Sequence, residues 1–234
     1  MSRGLVTAGP AIADLSVSQS DLIVLDIDEV VLHFISPFCD LLEEFGARLH
    51  VDSFRLTGNV RSVSTGAAIS GSELDKVTVR LYEEQEVRQL PVQGVQAALA
   101  RLSERADIVF LTAMTPAYYP QRRRLLDAAG LGYPMIATER AKGGVLAELA
   151  ARWPGTIVFA DDLPPNLVSA GRSLPRARLI HLMANEVFRP HLPPLPEGAL
   201  SAADWNEAEA LIESLLAGNA LTTGSCARPA ACLR

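Results

Sequence analysis

Cysteine is scarce in this chain of 234 residues: Cys39, Cys226 and Cys232, an odd set with two members crowded near the end. Such a set supplies neither a disulfide framework nor a zinc cluster, and it points to a reducing, cytoplasmic setting. The four histidines, His33, His50, His181 and His191, show no spacing that favours zinc. Positive charge is also short, with 21 Lys and Arg against 27 Asp and Glu, a net charge of -6 and a pI near 5.3. No basic field exists to gather the phosphates of a nucleic-acid polymer, although a single nucleotide is compatible with this balance. Long apolar runs are missing as well. The most hydrophobic stretch, residues 22–38, is interrupted by Asp26, Asp28 and Glu29, and residues 1–13 hold one early arginine and no sustained apolar segment. Neither a membrane span nor a signal peptide is expected.

What is present suffices for one substantial core with a smaller appended module, since 49% of the residues are hydrophobic. Leu22-Ile23-Val24-Leu25 is a short unbroken apolar run ending in acids, the pattern of a strand buried on both faces of a parallel sheet. Similar runs cover residues 108–111, ending at Thr112, 156–160, ending at Asp161, and 178–182, with a weaker one over 134–137. Amphipathic periodicity predicts helices over 92–105, 121–129 and 143–152. Strand and helix alternate, so the expected fold class is α/β: a Rossmann-like, doubly wound parallel sheet with right-handed crossovers.

One connection is too long for a simple crossover. A strand-helix-strand unit needs about a dozen connecting residues, yet the path from Asp28 to Thr112 holds a whole further segment. We expect residues 33–90 to be an inserted, mostly helical small cap, and residues 18–32 together with 91–218 to form the discontinuous core. Within the insert, 37–49 and 72–87 read as helical, and 54–63, with Gly58-Asn59, reads as a short hairpin or strand pair. Prolines 190, 193, 194 and 196 mark a surface linker before a helix over 203–216, and residues 219–234 are expected to be a poorly ordered tail.

In a parallel α/β sheet the carboxyl ends of the strands face a common crevice. Strand ends here deliver Asp26 and Asp28, then Thr112, then Asp161 and Asp162, and Lys142 opens the helix after the weaker strand. Asp26 and Asp28 are two apart, so in extended chain both point to one side while Ile27 packs opposite. Carboxylates that close repel unless a cation attends them. With Asp161 they make an all-oxygen, negative site that suits a hard ion such as Mg²⁺.

At these positions the chain resembles the haloacid dehalogenase superfamily. Asp26-Ile27-Asp28-Glu29-Val30 is similar to its first motif, Phe110-Leu111-Thr112 to its second, Lys142 to its third, and Val158-Phe159-Ala160-Asp161-Asp162 to its fourth, all in order. The resemblance covers the core and implies the following chemistry. Asp26 would attack phosphorus and become an aspartyl-phosphate, and Asp28 would protonate the leaving oxygen and later take a proton from water. Thr112 and Lys142 would bind the phosphoryl group. Mg²⁺ would be held by Asp26, the Asp28 carbonyl and Asp161, with Asp162 as an additional acid and Asn166 orienting the loop or Lys142. An acid at Asp28 argues for phosphate rather than carbon-halogen chemistry, because members that cleave carbon-halogen bonds lack it. Two departures stand out: Glu29 replaces a small glycine, and Gly143-Gly144 follows Lys142 where proline is frequent.

The expected activity is Mg²⁺-dependent hydrolysis of a small phosphorylated metabolite. Transfer to another acceptor by a phosphomutase-like enzyme, or a non-catalytic binding role, are the alternatives. The arginines of the insert, Arg55, Arg61, Arg80 and Arg88, read as surface charge. Cys39 reads as an apolar helix residue, and Trp205 as the anchor of the last helix.

Overall fold

A computed structural model describes residues 5–218, so the tail expectation for 219–234 lies outside the described residues. Seven strands form the main sheet in the order β1-β6-β5-β2-β7-β8-β9. They are β1 (Thr7–Ala8), β2 (Leu22–Leu25), β5 (Asp107–Thr112), β6 (Met135–Thr138), β7 (Ile157–Asp161), β8 (Arg178–Leu182) and β9 (Leu200–Ala202). All pairings are parallel except β1 against β6. A separate antiparallel pair joins β3 (Ala47–Leu49) to β4 (Val60–Ser62).

The unbroken apolar runs follow from burial on both faces. In β2, Ile23 and Leu25 enter one core with residues of α4 (Val95–Leu102), α5 (Tyr119–Ala128) and α8 (Trp205–Leu216). Leu22 and Val24 enter the other, with α6 (Lys142–Ala150) and α7 (Pro164–Ser173). Trp205 anchors α8 by donating its ring N–H to the Val30 carbonyl at 2.8 Å. Helix α7 had no counterpart in the sequence reading. It begins at Pro164-Pro165, where proline's missing N–H costs nothing. Strands β1 and β9, two and three residues long, also escaped notice, being too short to show a period.

Residues 33–90 build α1 (Ile35–Glu44), β3, β4, α2 (Gly71–Glu83) and α3 (Gln85–Arg88) around a small core of their own that includes Phe38, Leu42, Val60 and Leu81. The chain enters and leaves this module side by side: His33 N–H donates to the Leu90 carbonyl and Val92 N–H to Val31, each at 2.9 Å. Two expectations inside it need correction. Helix α1 stops at Glu44 because Gly46, at φ 68°, turns the chain into β3, so 47–49 is strand. The hairpin expected over 54–63 is instead β3 with β4, joined by a ten-residue loop. Asn59 is buried and ties that loop, its amide donating to the carbonyls of Ser53 and Arg55 at 2.7 and 2.8 Å. Among the described residues no helix is long and apolar enough to cross a membrane.

Candidate active site

Strand β2 ends at Leu25, and Asp26 is the first residue beyond it, held by its N–H to the Ala160 carbonyl of β7 at 2.9 Å. The chain then curls tightly: the Ile27 carbonyl accepts from the N–H groups of Val31 and Leu32 at 2.8 and 2.9 Å. Both Asp26 and Asp28 thereby face one cavity of about 290 Å³ at the carboxyl edge of the sheet, shared with Thr112, Lys142, Asp162 and Asn166. Asp161 lies beneath, fully buried. The ends of strands β2, β5 and β7 and the first turns of α6 and α7 thus bring the seven sequence-selected residues into one cluster.

Lys142 is the electrostatic centre. Its ammonium contacts Asp26 Oδ1 and Asp161 Oδ2, each at 2.7 Å. Burial works to lower the Lys142 pKa, yet Asp161 and Asp26 outweigh it and the group is held more firmly protonated than an ordinary lysine. Asp161 is otherwise saturated, accepting from the Leu163 N–H at 2.9 Å and from the Asn166 amide at 3.0 and 3.2 Å. Asp162 makes no side-chain hydrogen bond among the described residues, while its carbonyl meets His181 Nε2 at 2.9 Å. The Thr112 hydroxyl accepts from the Met114 N–H at 3.0 Å, which leaves its own proton free to donate.

The surplus of negative charge is visible in the acids. Burial pushes Asp26 up to about 7, Lys142 opposing and Asp161 adding to the shift. Asp162 is pushed well above the usual carboxylate range by burial, then by the charges of Asp161 and Asp26. Oxygens of Asp26, Asp161 and Asp162 lie within 4.8 Å of one another. Four carboxylates, these three and Asp28, meet two cations, Lys142 and Arg122. A buried all-carboxylate group with that imbalance fits a hard divalent cation.

Several participants were not selected from sequence. Arg122 of α5 is fully buried, and one of its Nη atoms lies 3.0 Å from both Asp28 Oδ1 and Gln89 Oε1. Gln85 accepts from its Nε, and Gln89 also donates to Asp28 Oδ1 at 3.0 Å. Tyr82 completes the enclosure, its hydroxyl held protonated by burial and by the nearby Asp28 charge. A signal existed: Arg122 shares a helical face with Leu125 and Leu126, where a solvated arginine does not belong. Glu29 is the other. It is buried at φ 62°, the one non-glycine residue with positive φ among those described, and accepts from the N–H groups of Phe34, Ile35 and Asn185 at 2.7, 2.6 and 2.7 Å.

The arginines of the insert divide. Arg61 pairs with Asp52, while Arg80 and Arg88 pair with Glu44 and Glu84, but Arg55 lines the cavity. Cys39 is half buried with its thiol pushed up by burial and by Asp40 and Glu43, the opposite of nucleophile activation.

No family model and no curated protein matches the chain. Solved structures do. A haloacid dehalogenase-like protein of unknown function from Agrobacterium tumefaciens superposes with a TM-score of 0.57 at 18% identity, over 83% of this chain and 98% of that one. A β-phosphoglucomutase assignment from Thermotoga maritima gives 0.52 at 14% identity, over 83% and 99%. A haloacid dehalogenase family hydrolase from Deinococcus radiodurans, solved with phosphate and sodium, gives 0.50 at 11%, over 85% and 95%. The chain has the haloacid dehalogenase-like fold.

Proposed function

We propose that this chain, a haloacid dehalogenase-like fold with Asp26 and Asp28 at the end of its central strand, is a Mg²⁺-dependent phosphatase of small phosphomonoesters. The observation that carries the reading is the Lys142 ammonium seated between Asp26 and Asp161, 2.7 Å from each, beside a second acid held by its own cation.

Asp26 attacks phosphorus through a carboxylate oxygen, and the ester P–O bond breaks as Asp28, which takes up the proton of the monoanionic ester on binding, passes that proton to the departing alkoxide. Water then attacks the aspartyl-phosphate. Asp28 takes the proton of that water, the P–O bond to Asp26 breaks, and orthophosphate leaves. Thr112 donates its free hydroxyl proton to a phosphoryl oxygen, and Lys142 offsets the charge gathered on nucleophile and phosphate. Tyr82 and Arg122 hold Asp28 in place and shut water out behind it.

Mg²⁺ would be held by Asp26, the Asp28 carbonyl and the acids at the end of β7, and it would supply Lewis-acid neutralisation of the phosphoryl oxygens. Of those acids Asp162 has the unengaged carboxylate, whereas Asp161 is occupied by Lys142, Asn166 and a backbone N–H. We therefore assign Asp162 a direct place in the metal shell and Asp161 chiefly the orientation of Lys142, reversing the emphasis expected from sequence. The sparse cysteines fit a cytoplasmic enzyme.

Purified protein should hydrolyse p-nitrophenyl phosphate with Mg²⁺, lose the activity in EDTA, and lose at least about 10³-fold of kcat in Asp26→Asn. Full turnover in EDTA or in that variant would falsify the assignment.

A further inference from the structure

Above the acidic floor the cavity changes character. Its walls are Phe34, Ile35, Leu56 and Met183, with Phe54 and Phe188 meeting edge to face at 5.8 Å between ring centres. Phe34 also tilts against Tyr82 at 6.1 Å, so two aromatic pairs bound the space. The polar side chains that reach it are already engaged. The Glu29 oxygens accept from three backbone N–H groups, the Asn166 amide serves Asp161, and Tyr82 faces Asp28. Arg55, exposed at the rim, is the one lining cation without a carboxylate partner among the described residues.

A polyhydroxylated leaving group would bring hydroxyls into this space and find almost nothing to replace their water, which is costly for each one. An apolar ring would lose only unfavourable hydration and could meet the wall rings edge-on or offset. The small cavity volume limits that body to about one or two rings beside the phosphoryl group. We propose that the substrate is a phosphomonoester of an apolar, aromatic alcohol rather than a sugar phosphate, its ring held between the Phe54–Phe188 and Phe34–Tyr82 pairs. This specificity rests on the phosphatase reading above.

Esters of primary alcohols keep leaving-group chemistry comparable, so the test sets benzyl phosphate against glycerol 3-phosphate and glucose 6-phosphate with the full chain and Mg²⁺. The expected kcat/KM for benzyl phosphate is at least about 30-fold higher, with most of the difference in KM. Phe54→Ser, at a partly buried position packed against the small Ile35, Met183 and Phe188 cluster, lowers the benzyl-to-glycerol preference about tenfold in protein shown folded by thermal unfolding, and Leu56→Ser lowers it in the same direction. A sugar phosphate that matches or exceeds benzyl phosphate overturns the proposal while leaving the phosphatase reading intact. If no ester turns over, the phosphatase reading falls, and calorimetry then decides on the walls alone. Benzylphosphonate binding at least tenfold tighter than 2,3-dihydroxypropylphosphonate supports the aromatic assignment, and equal or absent binding overturns it.

Discussion

Glu29 occupies a left-handed backbone position that glycine adopts freely and that costs a side-chain-bearing residue about 1 kcal/mol. Three charge-assisted hydrogen bonds from backbone donors outweigh that cost. Glu29→Gly relieves the strain but strands three N–H groups, so we expect a net loss of about 2 kcal/mol in a urea titration. A variant as stable as the parent would show that water replaces the carboxylate without penalty. Arg122 carries more: Arg122→Met leaves Asp28 and two glutamines facing a vacated site, and breaking a buried pair costs about 3–5 kcal/mol. Because Arg122 positions Asp28, partial rescue of kcat by Arg122→Lys, beyond any recovery of stability, distinguishes positioning from mere packing. The departure at Glu29 was visible as an oddity in the sequence. Its purpose was not, because the donors it serves lie five, six and 156 residues away.

Among elements, the contact of α6 with α7 depends on Gly143. A Cβ there would stand 2.3 Å from the Ser169 carbonyl oxygen, and that neighbour is backbone and cannot swing aside. Gly143→Ala therefore forces the helices apart and disturbs Lys142 next to it. We expect about 1–3 kcal/mol of destabilisation together with a fall in activity, and unchanged thermal unfolding would refute the packing account. This contact also explains why glycine rather than proline follows the lysine. The sheet elements were legible because β2, β5, β7 and β8 are buried on both faces and so read as continuous apolar runs. The helix expected over 72–87 is α2 followed by the short α3, and the reciprocal Ser70 and Glu73 cap fixes its start. The β3–β4 pair was misplaced because a helix period and a strand period both fit residues 37–49, and only the turn at Gly46 separates them.

The cores on the two faces of the main sheet are larger than the one that residues 33–90 build for themselves. The amides of α1 and α2 should therefore exchange with deuterium well before those of β2, β5 and β7. Simultaneous exchange would mean a single cooperative unit. Acidity offers a second global test. Asp26 has a folded pKa of about 7 against 3.8 for an unperturbed aspartate, so the native state binds this proton more tightly than the unfolded chain does. Its contribution is fully present below pH 3.8 and is lost as pH rises to 7; Asp162 acts with the same sign. Metal-free protein should lose thermal stability across that window, less steeply in Asp26→Asn. Mg²⁺ should raise the melting temperature more at pH 8 than at pH 5, because its ligands must be deprotonated. Equal slopes for both proteins would reject the assignment. The clustered acids Asp26, Asp28, Asp161 and Asp162 were legible because strand ends announce them. Around Asp28 only Arg122 left a local trace, as a charge on the apolar face of α5; Gln85, Gln89 and Tyr82 left none, since tertiary packing alone brings them there.

The Glu29 carboxylate also bears on how far the two parts of the protein are interchangeable. It belongs to the chain before the insert, yet two of its three donors, Phe34 and Ile35, belong to the insert itself. A chimera that replaces residues 33–90 with a segment bringing no N–H groups to these two points keeps a buried anion with only one of its three donors, that of Asn185. Such a graft should fail with Glu29 retained and recover when glycine is placed there, so the boundary for recombination lies inside the turn that follows β2 rather than at the visible edge of the module.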